Sequence, residues 1–133
     1  MEYDQYTDYK VITDKKRIDS LMWTYLGAIE GRIVRAMKWF AQKEGYGEEV
    51  VGITFMKDLD EEDVENLPKP LDDHHVLVEL TYPAVDVNEM AYVDFETFFE
   101  YLTEEIQDIL SEHPDRADLL LPLLGEVKKS LGV

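Results

Sequence analysis

Apolar residues between positions 14 and 43 recur at steps of three and four, which is the spacing of one face of an α-helix. The residues that carry this spacing are Ile18, Met22, Tyr25, Ile29, Ile33, Met37 and Phe40. Asp14 or Thr13 is a suitable N-cap, and Gly45 or Gly47 is a suitable end. The pattern therefore predicts one long amphipathic helix near the N-terminus.

Three segments in the middle of the chain are typical of β-strands. Residues 50–56 are β-branched and aromatic, residues 75–82 alternate between two faces, and residues 89–93 form a shorter third segment. In the second segment, the alternation places four residues on one face, namely Val76, Val78, Leu80 and Tyr82. These segments predict a small antiparallel sheet of about three strands.

Residues 57–70, between the first two predicted strands, are rich in acids. Pro68 and Pro70 stop any helix there, so we expect a loop with room for one short helical turn. In that turn, Leu59, Val64 and Leu67 would point inward.

The clearest helix pattern covers residues 95–112. Its inward face consists of Phe95, Phe98, Phe99, Leu102, Ile106, Ile109 and Leu110. Asp94 is in the N-cap position, and Pro114 follows the last turn.

A final helix is predicted after Asp115, which would cap it. Its inward residues would be Leu120, Leu124, Val127 and Leu131, with Leu119 and Leu123 beside them. Pro122 and Gly125 weaken the first half of this helix. The order helix, strands, helix, helix predicts a single α+β domain over residues 1–133, with helices covering the sheet.

Charge is distributed unevenly along the chain. The sequence has 30 acidic and 13 basic residues and a net charge of −17. Residues 1–50 contribute −1 of this charge, and residues 51–133 contribute −16. Between positions 70 and 115 there are thirteen acids and neither lysine nor arginine. Such a surface repels nucleic acid and anionic membranes, so it favours a basic protein as the partner.

The composition also limits the setting in which the protein works. At 133 residues and 45% hydrophobic positions, the chain is long enough for one folded core. It has no cysteine, which excludes disulfides and thiolate metal sites. The first twenty residues lack the regions of a signal peptide, and no apolar run has the length of a membrane span. We therefore expect a cytoplasmic protein.

Acids and tyrosines on or beside the predicted strands are the candidate partner-binding residues. The acids would be presented by loops and strands, and tyrosines are frequent anchors at protein interfaces. The candidates are Asp60, Glu61, Glu62, Asp63, Asp72, Asp73, Glu79, Tyr82, Asp86, Glu89 and Tyr92.

Metal binding and catalysis have weaker support. Clustered carboxylates are ligands for Ca²⁺ or Mg²⁺, but DLDEEDVENLP lacks the glycine and the closing glutamate spacing of an EF-hand loop. His74 and His75 would point to opposite faces of a strand, so they do not predict a shared ligand site. There is no cysteine nucleophile, GxSxG motif or glycine-rich phosphate loop. The sequence therefore predicts a protein with no catalytic residue, no metal and no cofactor.

A row of acids follows the outer face of the helix predicted at residues 95–112. Glu96, Glu100, Glu104, Asp108 and Glu112 are four residues apart. Each step is a like-charge pair that costs about 0.2 to 0.5 kcal/mol. The row fits a solvated helix face, and it also fits a nucleic-acid mimic, with one carboxylate about every 6 Å of helix. The sequence leaves both interpretations open.

Residues 92–133 resemble the C-terminal half of the CdiI-type immunity proteins, which accompany ribonuclease toxins of contact-dependent growth inhibition systems. A strand leads into a helix with Asp94, Phe95, Phe98, Phe99, Tyr101 and Leu102, a break follows at His113, Pro114, Asp115 and Arg116, and the final helix carries Lys128 and Lys129. The terminal LLLPLLG is more apolar than the final helix of that family.

The resemblance implies a small cytosolic inhibitor that binds one toxin nuclease tightly and catalyses no reaction itself. A nuclease needs a basic cleft to attract polyphosphate, so an acidic surface can dock there and exclude the substrate. We therefore expect a non-catalytic acidic immunity protein that covers the cleft of a basic toxin nuclease, which the resemblance indicates is a ribonuclease. The alternative is a nucleic-acid mimic that inhibits a DNA- or RNA-binding protein.

Overall fold

The structure, a computed structural model, describes residues 9–133. The described residues form five strands, namely β1 (Lys10–Val11), β2 (Tyr46–Glu48), β3 (Val51–Thr54), β4 (His75–Leu80) and β5 (Glu89–Asp94). The α-helices are α1 (Lys15–Ile29), α2 (Ile33–Phe40), α3 (Glu61–Asn66), α4 (Phe95–Glu112) and α5 (Ala117–Leu131).

The strands form one mixed sheet in the order β1-β5-β4-β3-β2. β1 pairs in parallel with β5, and the other neighbours are antiparallel. The α+β class is confirmed, but the prediction of about three antiparallel strands is wrong. Its error lies at the two edges, where β1 and β2 have two and three residues. Segments this short have no alternating pattern that a sequence could reveal.

The main core lies between the sheet and the helices α1, α2, α4 and α5. Val76, Val78 and Leu80 face this core from β4. The Phe98 ring meets the Phe40 ring edge to face at a centroid distance of 5.1 Å. Phe98, Leu102 and Ile106 are fully buried, as the apolar pattern of α4 predicts.

The opposite face of the sheet is covered by the connection between β3 and β4. Leu67 and Leu71 in this connection pack against Leu77 of β4 and Met90 of β5. Leu67 therefore points inward as predicted, whereas Val64 is 45% exposed and does not. The six residues of α3 are anchored by apolar residues at their flanks rather than by Val64.

The first helical region is divided, which the apolar pattern did not predict. A 3₁₀ turn at Glu30–Arg32 separates α1 from α2. Gly31 lies at the centre of this turn, and glycine is a weak helix former. Asp14 caps α1 as predicted, with its Oδ2 accepting a hydrogen bond from the Arg17 amide at 3.0 Å. α2 ends at Phe40, before either candidate glycine.

α4 begins and ends where the sequence predicts. Asp94 Oδ2 accepts a hydrogen bond from the Thr97 amide at 3.0 Å, which satisfies a free donor of the first turn. α5 differs from its prediction, because a 3₁₀ turn at Pro114–Arg116 precedes it and Arg116 rather than Asp115 is its N-cap.

The predicted inward face of α5 is confirmed at Leu120, Val127 and Leu131 but not at Leu124. Leu123 is buried and Leu124 is only half-buried, while Leu119 is exposed. Pro122 lies within the helix on its exposed side, where water can satisfy the carbonyl group that loses its helical hydrogen bond.

Candidate functional site

The short helix α3 presents a concentrated group of acids, which we call the acidic ridge and define as residues 60–65. Asp60 and Asp63 fix its start reciprocally: Asp60 Oδ1 accepts from the Asp63 amide at 2.8 Å, and Asp63 Oδ2 accepts from the Asp60 amide at 3.3 Å. Glu61, Glu62 and Asp63 occupy the first turn. Acids are favoured at that end of a helix because its free amide groups carry partial positive charge.

The outer part of the acidic ridge is available to a partner. Glu61 and Glu62 are exposed, and neither enters an ion pair within residues 9–133. Val64 of the ridge is more than two-fifths exposed, and so is Met56, in the 3₁₀ turn Met56–Asp58 that precedes α3. Protein interfaces typically combine an apolar centre with a polar rim, and exposed apolar side chains next to charged ones provide both.

Glu79 lies on the same face of the sheet as the acidic ridge, but it is largely inside the protein. On β4 it stands between Gly52 of β3 and Met90 of β5. Its Oε1 is buried and has no hydrogen-bond partner among the described residues. Burial, together with the charge of Asp63, raises the pKa of Glu79 to about 7, while a hydrogen bond with Tyr9 lowers it. Glu79 therefore carries a full charge only above neutral pH.

Asp72 and Asp73 lie at the end of the sheet where β4 begins. Asp72 Oδ1 accepts from the His74 amide at 2.8 Å and lies 2.7 Å from His75 Nδ1. The hydrogen bond with His75 lowers the pKa of Asp72. Asp72 therefore organises the entry into β4, whereas Asp73 has only a 3.4 Å contact with His74 Nε2.

Tyr82 and Asp86 lie in the connection between β4 and β5, at the other end of the sheet. Tyr82 is 70% exposed, and it lies outside β4 rather than within the predicted strand, because the strand ends at Leu80. The Tyr82 amide donates to Asn88 Oδ1 at 2.7 Å, so the connection is ordered by its own polar groups. Asp86 and Val87 are exposed beside it.

Two candidates are occupied by contacts within the protein. Glu89 forms an ion pair with Arg17 of α1, and Arg17 Nε lies 3.1 Å from Glu89 Oε1. The Tyr92 hydroxyl donates to the Lys69 carbonyl oxygen at 2.7 Å, and Lys69 Nζ lies 4.5 Å from the centre of the ring. Glu89 thus ties α1 to the sheet, and Tyr92 fastens the connection between β3 and β4.

The predicted contact residues therefore do not form one patch. Asp60, Glu61, Glu62 and Asp63 form the acidic ridge, whereas the groups containing Asp73 and Tyr82 lie at opposite ends of β4. A strand of six residues spans about 20 Å. Sequence reasoning missed Met56 and Val64 as surface residues. The available signal was the position of Val64 between Asp63 and Glu65, since an apolar residue flanked by acids need not be buried.

Two further properties concern metals and membranes. Among residues 9–133, no group of three histidine, aspartate or glutamate residues is placed to hold a metal ion. Over the same part of the chain, none of the helices combines the length and the apolar character that a bilayer crossing requires.

The fold and the acidic ridge define a small acidic α+β protein with a surface suited to a protein partner. The model of the CDI immunity protein family matches residues 14–124. The chain belongs to this family, and the family points to an immunity protein that neutralises a toxin. The match begins well before residue 92, where the resemblance seen in the sequence starts, and it ends at residue 124. No curated protein and no solved structure matches the chain.

Proposed function

We propose that this chain neutralises a basic toxin nuclease by covering its substrate cleft. The observation that carries the proposal is the acidic ridge, where Glu61 and Glu62 have no basic partner within residues 9–133 and lie beside exposed Val64. Membership of the CDI immunity protein family supplies the class of partner, which is a toxin. The family does not specify what the toxin does. The strong negative charge of this chain is the reason for proposing that the toxin is a nuclease.

A nuclease cleft and the acidic ridge are complementary in two ways. The cleft has to be basic to hold polyphosphate, so opposite charges speed the encounter of the two proteins. Affinity then requires apolar side chains that lose water on binding, and Met56 and Val64 are exposed in the right segment. Asp73 and Asp86 are also exposed, but they lie apart from the acidic ridge, near the two ends of β4. We expect this binding to take place in the cytoplasm.

The proposal is tested by the association rate of the chain with the toxin domain encoded beside it, in a catalytically inactive form. The variant is Glu61→Gln with Glu62→Gln. Its control is Glu100→Gln with Glu104→Gln on α4, which removes the same charge from other exposed positions. We expect the ridge variant to associate about 3- to 10-fold more slowly at low salt, with a smaller effect for the control. Salt above about 0.15 M should reduce the difference.

The control variant also addresses the nucleic-acid mimic. All five acids of the row from Glu96 to Glu112 are exposed on α4, as a mimic requires. A larger loss of association rate for the α4 variant than for the ridge variant would support mimicry through α4. Unchanged rates for both variants would show that recognition does not depend on either acidic surface.

A further inference from the structure

One helix face of this strongly acidic protein carries positive charge. An open groove of about 610 Å³ runs along α2 and is lined by Arg32, Arg35, Lys38 and Trp39, among others. None of the described residues that line the groove is acidic. We call this feature the α2 groove. It is unusual in a chain with 30 acids and 13 bases.

Of the three cations that line the α2 groove, Arg35 and Lys38 have no ion pair within residues 9–133. Arg32 donates to Glu48 Oε1 at 2.7 Å. Arg35 and Lys38 enter no ion pair within residues 9–133, and Arg35 acts on Glu48 only at longer range. At a spacing of three residues they repel each other by about 0.2 to 0.5 kcal/mol. A carboxylate from outside would relieve this repulsion.

Trp39 adds an apolar contact to the same groove. Its side chain is 43% exposed, and half-buried Val34 lines the same groove. The other tryptophan, Trp23, packs edge to face on Tyr101 at a centroid distance of 5.5 Å. Tryptophan and arginine are among the residues enriched where the binding energy of protein interfaces is concentrated.

The α2 groove is continuous with the segment that carries the acidic ridge. Gln42 lines one end of the groove, and its carbonyl oxygen accepts from Lys57 Nζ at 3.5 Å. Lys57 belongs to the 3₁₀ turn that exposes Met56 and leads into α3. Asp58 of this turn also accepts a hydrogen bond from the Gly45 amide at 2.8 Å, which holds the turn against the segment that follows α2. One partner can therefore reach both surfaces.

We propose that the α2 groove binds an acidic segment of the same toxin that the acidic ridge recognises. The segment supplies carboxylates to Arg35 and Lys38 and an apolar side chain to Trp39. This inference rests on the proposed function. The residues that line the groove run from Gly31 to Gln42, about 16 Å at the helical rise, which accommodates roughly five extended residues. A basic toxin is attracted by the net charge of −17, whereas a second copy of this chain and nucleic acid are repelled by it.

The test is the affinity of the inactive toxin domain for a charge-reversal variant, Arg35→Glu with Lys38→Glu. The control is Lys15→Glu with Lys16→Glu, which makes the same charge change at exposed positions in the first turn of α1. Acids are tolerated there because they match the helix dipole. We expect the groove variant to raise Kd about 10- to 100-fold, mainly through faster dissociation, and the control to change Kd less than about threefold.

A second variant, Trp39→Ala, keeps the test independent of charge and of any loss of folding in the reversal variant. It should also accelerate dissociation, and thermal unfolding should show that it remains folded. Equal affinities for the groove variants and the control would overturn the inference while leaving the proposed function intact. A wild-type dimer that the reversal variant abolishes would assign the groove to a second copy and overturn it too. Failure of the wild-type chain to bind the toxin would contradict the proposed function itself.

Discussion

At the scale of single residues, an unusual feature of the core is the buried carboxyl group of Glu105. Glu105 of α4 is 6% exposed and forms a hydrogen bond with Glu30 in the 3₁₀ turn between α1 and α2. Burial, this hydrogen bond and the charges of Glu30 and Asp108 raise the pKa of Glu105 to about 7. A hydrogen bond between two carboxyl groups requires that one of them keeps a proton.

Glu105 should therefore make the stability of the protein depend on pH. Its pKa is about 7 when folded and near 4.5 when unfolded, so the folded state binds more protons between these values. The free-energy cost of ionising Glu105 in the folded protein is absent below about pH 4.5, grows as the pH rises and is complete above about pH 7. We expect Glu105→Gln to be more stable than the wild type by on the order of 1 to 3 kcal/mol at pH 8, with a smaller difference at pH 5.

Urea unfolding at pH 5 and pH 8 measures this effect. Glu104→Gln is the matched control, because Glu104 is an exposed neighbour on the same helix. Glu79 also has a pKa raised to about 7, so the variant should retain part of the pH dependence. A stability difference between Glu105→Gln and the wild type that is the same at both pH values would contradict the assignment of a shared proton.

At the scale of secondary structure elements, α4 is the centre of the main core. Phe98 contacts the rings of both Phe40 and Phe55, at centroid distances of 5.1 and 6.2 Å. It thereby joins α4 to α2 and to the residue that follows β3. The loss of this ring would leave a cavity that several elements cannot all close.

We expect Phe98→Ala to reduce the free energy of unfolding by about 3 to 5 kcal/mol. The neighbouring Phe99→Ala should cost distinctly less, because Phe99 is only half-buried. Denaturant unfolding of the two variants measures the difference. Equal losses would mean that the inward face of α4 has been misassigned.

The elements differ in how far the sequence predicts them. α4 has enough residues for its apolar periodicity to be clear, and Asp94 marks its start, so its bounds were predicted correctly. β1 and β2 exist because they pair with β5 and β3, and their own few residues carry no period. The break between α1 and α2 leaves the apolar spacing unchanged, since Ile29 and Ile33 on its two sides are both buried. Periodicity alone could not reveal it.

At the scale of the whole molecule, the distribution of charge is more informative than its sum. The sequence shows that residues 70–115 lack bases, but the fold brings Arg17 to Glu89 across 72 positions of the chain. The fold also leaves Glu61 and Glu62 of the acidic ridge without an ion pair within residues 9–133, and it gathers Arg35 and Lys38 in the α2 groove. The sequence could therefore only partly show which candidate acids pair with a base inside the protein and which do not. The residues next to an acid in the chain do not determine its partner in space.

We propose that this chain blocks the substrate cleft of a toxin nuclease. The most direct measurement is the cleavage of a labelled RNA by the active toxin domain encoded beside this chain, during titration with the purified protein. We expect cleavage to stop at one equivalent of the chain. We also expect excess RNA to weaken the inhibition, because the RNA and this chain compete for one cleft. A toxin that binds the chain and still cleaves RNA, or whose inhibition does not respond to RNA concentration, would contradict the proposal.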